Sequence, residues 1–316
     1  MPTKLVTTFF AAHAGPPFWG KLNRFEWYAY SITSICGLGA EVVCYTDAGD
    51  KGFDYLSSIK EKHNLTNLTI KLFDLTTSPF HDRIYRNRIN NPELYNNEFH
   101  PFYTLPIAIY WLKWHFLNLE YDETKHVYWI DAGLSTGSLF PYALCKYKDH
   151  EGFETRFNHD REQEYKFFIF DKAFNPQTMD KINTFVEDKI LCMCRQDVMD
   201  NDYRLLSEKI GEDVYDSIVQ SNKFPVGAMF GGKTPYLKNY INVFTELANR
   251  ILDLPEHNYA CTEQELMGYI HIKHPEWFKD WTFNTFYQEE SSVWPGLLEA
   301  GNELDSFYKF FTEPLG

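Results

Sequence analysis

No apolar stretch in the sequence approaches the ~20 residues that a membrane-crossing helix needs. A transmembrane segment is therefore not expected. A secretory signal is not expected either. Met1 to Phe10 holds one lysine and a short apolar run, but Ala11-Ala12-His13-Ala14-Gly15-Pro16 follows with no apolar core region. The expectation is a cytoplasmic protein. Cysteine is scarce, six in 316 residues, which excludes a disulfide scaffold. Cys192-Met193-Cys194 is too tight for the usual zinc-ligand spacing, and no matching Cys or His pair stands near it in the chain. Buried reduced thiols are expected there. Basic charge is short as well. Thirty Lys and Arg face 44 Asp and Glu, a net charge of −14. That balance excludes general nucleic-acid binding and binding to anionic membranes, which need a basic field, although a local basic patch stays compatible with it. There are no repeats, no low-complexity tract and no linker. A single domain over residues 1–316 is expected.

Apolar residues make up 44% of the chain and aromatics 18%, enough for a large core. The first 75 residues alternate strand and helix signals. Lys4–Phe10 is β-branched and aromatic, Leu22–Cys36 has apolar residues at helical spacing and stops at Gly37-Leu38-Gly39, Glu41–Tyr45 reads as a strand, Phe53–His63 as a helix and Leu68–Phe73 as a strand. Such alternation predicts an α/β fold with parallel strands. Residues 76–102, rich in Asn, Arg and Pro, form a long excursion. A helix over Leu105–Leu119 and a strand over His126–Ile130 follow. Residues 146–166 are charged and loop-like, and Phe167–Phe170 reads as a buried strand. Helices are expected at 176–188, 202–220, Pro235–Leu252, Thr262–Ile272 (with Thr262 and Glu265 as a capping box) and Asn302–Phe311, with a strand at Phe224–Phe230.

Two nucleotide-binding patterns fail or weaken on inspection. Gly37-Leu38-Gly39 precedes a strand and lacks the third glycine of the dinucleotide fingerprint. Gly227-Ala228-Met229-Phe230-Gly231-Gly232-Lys233-Thr234 satisfies the phosphate-cradling G-x-x-x-x-G-K-T pattern, but Ala228-Met229-Phe230 reads as strand interior. No later apolar run ending in Asp is present to hold magnesium. Bare backbone at Gly231-Gly232, opening onto a helix start, still suits a close-lying anionic ligand. Asp131 follows the buried run His126-Val127-Tyr128-Trp129-Ile130, which puts a carboxylate at the crevice edge of an open α/β sheet. There it can hold a divalent cation against a diphosphate; the plain alternative is a side chain that caps its own turn.

The ordered set Asn91-Pro92-Glu93-Leu94, Trp111-Leu112-Lys113-Trp114, Tyr128-Trp129-Ile130-Asp131-Ala132-Gly133, Phe230-Gly231-Gly232 and Thr262-Glu263-Gln264 resembles nucleotide-sugar glycosyltransferases of the GT-A fold. More narrowly it resembles the HtrL/YibB-type bacterial family. The resemblance runs over roughly residues 4–275. It implies a single GT-A-like, Rossmann-like domain: a mixed, mostly parallel central sheet flanked by helices. Residues 1–130 would be the nucleotide-binding half and 131–316 the acceptor and sugar half. Thr7, Phe9 and Asp47 would lie near the nucleobase and ribose. Asp131 takes the place of the family's metal-binding Asp-x-Asp, with Gly133 where the second acid would stand, and the implied cofactor is a divalent metal, Mn or Mg. Lys113, with Arg83, Arg86 or Arg88, would neutralise the diphosphate, since guanidinium binds phosphate bidentately and Lys as a point charge. Gly231 and Gly232 would lie along a sugar. Glu263 and Gln264 resemble the acidic-Gln pair near the reaction centre, with Glu263 as general base; the plain reading of Glu263 is first-turn helix electrostatics.

The implied activity moves a sugar from a nucleotide-sugar donor, a UDP-sugar, to a glycan, a lipid-linked glycan or another hydroxyl acceptor. Alternatives are a sugar transferase acting on a modified DNA base, a P-loop phosphotransferase using Gly232-Lys233-Thr234, and a sugar-binding protein without catalysis.

Overall fold

The computed structural model describes residues 2–10, 24–83, 104–132, 153–158, 163–168, 176–195, 207, 217, 224–233, 235–252 and 263–283. In chain order these form β1 (Thr3–Thr8), α1 (Arg24–Cys36), β2 (Glu41–Thr46), α2 (Phe53–Lys62), β3 (Leu68–Leu72), α3 (Thr104–Glu120), β4 (His126–Ile130), β5 (Phe153–Asn158), β6 (Gln163–Phe168), α4 (Gln177–Val186), β7 (Ile190–Arg195), β8 (Phe224–Gly232), α5 (Pro235–Leu252), α6 (Glu263–Lys273) and β9 (Phe278–Phe283). Seven strands are hydrogen-bonded neighbours in the order β3-β2-β1-β4-β8-β7-β9. This is the expected α/β architecture, a mixed and mostly parallel sheet with flanking helices. By contacts the described residues fall into two compact units. One is drawn from Met1–Phe73, Ile130–Phe185 and Phe283–Gly316, the other from Asp74–Trp129 and Val186–Thr282. No helix among the described residues is long and apolar enough to cross a membrane.

In the first unit β1, β2 and β3 pair in parallel, with Val6 opposite Val43 and Val43 opposite Thr69. β1 and β2 are buried along nearly their whole length, the pattern of parallel strands covered on both faces. β3, at the edge, leaves Leu72 exposed. Three residues past the end of α1, Gly39 takes φ +73°, a left-handed conformation that side chains disfavour. Asn67 closes the corner, its amide donating to the carbonyls of Cys36 (2.9 Å) and Ala40 (2.7 Å). α4 is tied to β1 through Asn183, whose amide donates to Thr3 Oγ1 at 2.9 Å. β5 and β6 form a separate antiparallel pair, Phe153 opposite Phe168.

The second unit is organised by aromatics. Trp114 of α3 lies between Phe230 of β8 and Tyr240 of α5, with ring centroids 4.0 and 3.8 Å away. Such stacks add about 0.5–1.5 kcal/mol each beyond the area they bury. α5 lays Leu237, Tyr240, Ile241, Phe244 and Ile251 inward at helical spacing, and its Pro235 sits at the first position, where a missing N–H costs nothing. From Trp111 to Leu117, α3 is buried nearly all round, Lys113 included. β7 and β8 are antiparallel, with a register irregularity between Cys192 and Cys194.

Several expectations need correction. The charged 146–166 stretch contains β5 and most of β6 rather than a loop: Phe153, Thr155 and Phe157 alternate with polar residues at the two-residue period of a strand. β6 covers Gln163–Phe168, so the strand placed at 167–170 begins earlier; residues 169–170 lie outside the described residues. β7 and β9 were not anticipated. β8 continues through Gly231 and Gly232 instead of ending before them. Ser207 and Ser217 are helical, as expected for 202–220; the rest of that helix, Thr262, and the tail helix lie outside the described residues.

Candidate functional site

Four of the expected nucleotide-side residues fall in the first unit, at the carboxyl ends of strands. Thr7 is fully buried in β1, and its Oγ1 has no hydrogen-bond partner among the described residues. Phe9 continues past β1, donating its amide to the Tyr45 carbonyl at 2.8 Å. Its ring is buried and stacked on Tyr55, centroids 6.1 Å apart, so its face is already spent on the core. Asp47 turns the chain from β2 into α2. Its carbonyl accepts from Phe53 N at 2.9 Å, and Gly52 packs so closely on it that a Cβ there would stand 2.5 Å from Oδ1. Asp131 is half-buried and is the first residue beyond β4, all five of whose residues are buried.

Asp131 alone makes a poor resident site for manganese or magnesium. Hard cations take about six or more oxygens; at this strand end the described residues supply one carboxylate, and Gly133 has no side-chain oxygen to add. The described donor set alone does not fit a protein-held Mn or Mg ion.

The second unit brings together two expected residues 150 positions apart in sequence. Lys113 Nζ lies 2.7 Å from Glu263 Oε1, and both side chains are sealed, 3% and 2% exposed. The ammonium also donates to the Gly227 carbonyl at 2.9 Å and stands 5.6 Å from the Trp129 ring centroid. Glu263 opens α6, where the helix dipole favours an acid. Its Oε1 is held by Lys113, while Oε2 is buried with no hydrogen-bond partner among the described residues. A Cβ at Gly227 would lie 2.6 Å from Glu263 Oε1 and 3.0 Å from Lys113 Nζ. Gly227 is therefore glycine because the ion pair occupies the space of its side chain. A phosphate role for Lys113 would first require breaking this pair.

The remaining expected residues are placed as follows. Arg83 is half-buried, and its Nη1 donates to Asn249 Oδ1 on α5 at 2.5 Å. Gln264 is half-buried in the first turn of α6. Gly231 takes φ +134°, and a Cβ there would stand 2.2 Å from the Val127 carbonyl; at Gly232 it would meet the Lys189 carbonyl at 2.5 Å. Both glycines are buried and already have a packing cause: their bare backbone admits neighbouring backbone. Arg86, Arg88 and Gly133 lie outside the described residues. The P-loop alternative is overturned, because Gly227 to Gly232 lie within extended β8, and a phosphate cradle needs a loop that wraps its amides around the anion.

A further cluster lies in the same unit. Cys192 and Cys194 of β7, His271 of α6 and Asp280 of β9 each bring a ligand-capable atom within 4.8 Å of the others. The two sulfurs are 3.6 Å apart, and His271 Nε2 is 2.7 Å from Asp280 Oδ1.

No protein-family model matches this chain, and no curated protein does. Solved structures do match. Among them is the apo form of mouse xyloside xylosyltransferase 1, at 8% identity and a TM-score of 0.49, covering 95% of this chain and 93% of that one. A likeness of that size transfers no residue roles between the two proteins.

Sequence reasoning named Lys113 and Glu263 but not their contact, and it passed over Gly227 as part of a phosphate motif. The available signal was a lysine inside Trp111-Leu112-Lys113-Trp114, a charge amid buried aromatics that demands an acid partner. Cys192 and Cys194 are buried free thiols, as expected. No matching Cys or His pair stands near them in sequence, but α6 and β9 bring His271 and Asp280 to them.

Proposed function

We propose that this protein is a glycosyltransferase that moves a sugar from a nucleotide-sugar donor, a UDP-sugar, to a hydroxyl of a glycan or lipid-linked glycan. The observation that carries the reading is a group of strand ends within one compact unit. Asp131 follows β4 directly and belongs to the unit that holds β1, β2 and β3. Ligands of open α/β sheets bind outside the carboxyl ends of the strands. Phe9 and Asp47 stand at the ends of β1 and β2, in the same compact unit as Asp131. The resemblance to GT-A enzymes, and within them to the HtrL/YibB type, supports the same assignment.

In this reading residues 1–130 hold the nucleotide and 131–316 shape the acceptor side. Asp47 accepts from ribose hydroxyls, which a carboxylate at a strand end does well. The leaving diphosphate develops negative charge, and Arg83, Arg86 or Arg88 supplies the compensating cation. The resemblance also offers Glu263 as general base; its side chain is 2% exposed and paired with Lys113, so proton transfer to it would first require opening that pair. A thermal-shift screen against UDP, UDP-sugars, other nucleotide-sugars and ATP, each with and without manganese, tests the assignment, since a ligand that binds the native state alone raises the melting temperature. Stabilisation by UDP compounds that disappears in Asp131→Ala supports it. Stabilisation by ATP alone removes it. Binding of UDP-sugar with neither transfer nor donor hydrolysis would leave a binding protein in its place.

A further inference from the structure

The four side chains Cys192, Cys194, His271 and Asp280 converge from a strand, the last turn of a helix and an edge strand. Alternate residues of a strand share a face, which puts Cys192 and Cys194 on the same side of β7. Both cysteines are fully buried, His271 is buried and Asp280 is half-buried. Their ligand-capable atoms all lie within 4.8 Å of one another, so one ion can reach all four.

We propose that these four residues bind a single Zn²⁺ ion as a closed structural site. The donor set decides the metal. Two thiolates, an imidazole and one carboxylate are too soft for magnesium, calcium or manganese and suit tetrahedral zinc. The geometry agrees. Zinc–sulfur bonds of about 2.3 Å in a tetrahedron set the sulfurs roughly 3.8 Å apart, and here they are 3.6 Å apart. The His271–Asp280 contact, 2.7 Å, is a hydrogen bond without the ion. With zinc–nitrogen and zinc–oxygen bonds near 2.0 Å the same two atoms separate to roughly 3.3 Å. Asp280, half-buried on an edge strand, supplies that half-ångström of movement. Binding releases the protons of both thiols and moves the imidazole proton off Nε2.

Four protein ligands in a buried setting leave no open coordination position, so the ion's work is structural. It fastens α6 and β9 to β7. α6 begins with Glu263, so the ion also holds the helix whose first residue pairs with Lys113.

The test is metal analysis of the full chain purified under reductant. After loading with Zn²⁺ and desalting, about one zinc per chain is expected in wild type and in Cys36→Ala, and a loss of at least half in Cys192→Ser, Cys194→Ser and His271→Ala. Chelator treatment is expected to lower the melting temperature by several degrees, and added Zn²⁺ to restore it. Should the variants fail to fold, wild type loaded with Co²⁺ decides. Intense visible bands with thiolate-to-cobalt charge transfer are the mark of tetrahedral sulfur ligation. Pale octahedral cobalt, zinc far below one per chain after loading, zinc retained by the cysteine variants, or a Cys192–Cys194 disulfide in reduced protein would each overturn the proposal.

Discussion

Replacing Lys113 by Met removes the cation from a pair in which both side chains are almost wholly sealed from water. The remaining Glu263 carboxylate is then cut off from solvent and, among the described residues, has no counter-charge at hand, and its Oε2 has no hydrogen-bond partner among them. Breaking a buried pair from one side costs about 3–5 kcal/mol, because the surviving charge is left uncompensated. Gly227 loses the donor to its carbonyl as well, 2.9 Å away, which adds roughly 1 kcal/mol. The expected total for Lys113→Met is about 4–6 kcal/mol. Glu263→Gln should cost less, about 2–3 kcal/mol, since the amide oxygen still accepts from Lys113 and the ammonium keeps Gly227. Removing both charges, as in Lys113→Met with Glu263→Leu, leaves mainly the Gly227 carbonyl unsatisfied and should cost only about 1–2 kcal/mol. The double variant is therefore predicted to be more stable than Lys113→Met. The assay is denaturant unfolding followed by tryptophan fluorescence, with Glu263→Leu alone completing the double-mutant cycle that extracts the coupling. A Lys113→Met cost below about 1 kcal/mol, or single-variant losses that simply add, would refute the claim that these charges are buried and paired.

Gly231→Ala should destabilise the protein by more than about 3 kcal/mol, because it places a Cβ 2.2 Å from the Val127 carbonyl at φ +134°. A melting temperature within 1 °C of wild type, on the scale of about 2 °C per kcal/mol, would show that β4 and β8 approach less closely than described. Burial holds the imidazoles of both His126 and His115 below the ordinary 6.5, and for His126 the positive charge of Lys233 adds to the effect. Above pH 6.5 both are neutral whether the chain is folded or not. As pH falls through that value the unfolded chain takes up protons first, so stability should decline with acidification and level off only below the folded values. His126→Gln should flatten that decline in pH-dependent unfolding; an unchanged slope would assign it to other groups.

The sheet's buried strands were legible because their apolar runs are unbroken. Glu41–Thr46 and His126–Ile130 were placed to within a residue, and α5 was readable from Pro235 and the spacing of Leu237, Tyr240, Ile241 and Phe244. β7 carries the same kind of signal in Ile190-Leu191-Cys192-Met193-Cys194, a short apolar run interrupted in character by its two cysteines. β9 reads Phe278-Lys279-Asp280-Trp281, a charged edge strand with too weak a pattern to stand out. The site divides the same way. Asp131 is legible as an acid at the end of an apolar strand, a purely local pattern. The Lys113–Glu263 pair and the four-ligand cluster are not, since each depends on side chains brought together across 76 residues or more of chain, from Cys194 to His271 or from Lys113 to Glu263. Gly231 and Gly232 carry the opposite lesson. A glycine pair marks close approach, and here what approaches is the backbone of Val127 and Lys189.

The most direct test of the central claim is isothermal titration of UDP and of UDP-sugars into wild type and into Asp131→Ala and Asp47→Ala. Binding to wild type that weakens at least tenfold in either variant, with ATP giving no heat, is the predicted result. Equal affinity in all three proteins, or binding of ATP alone, would contradict the placement of a nucleotide-sugar at these strand ends.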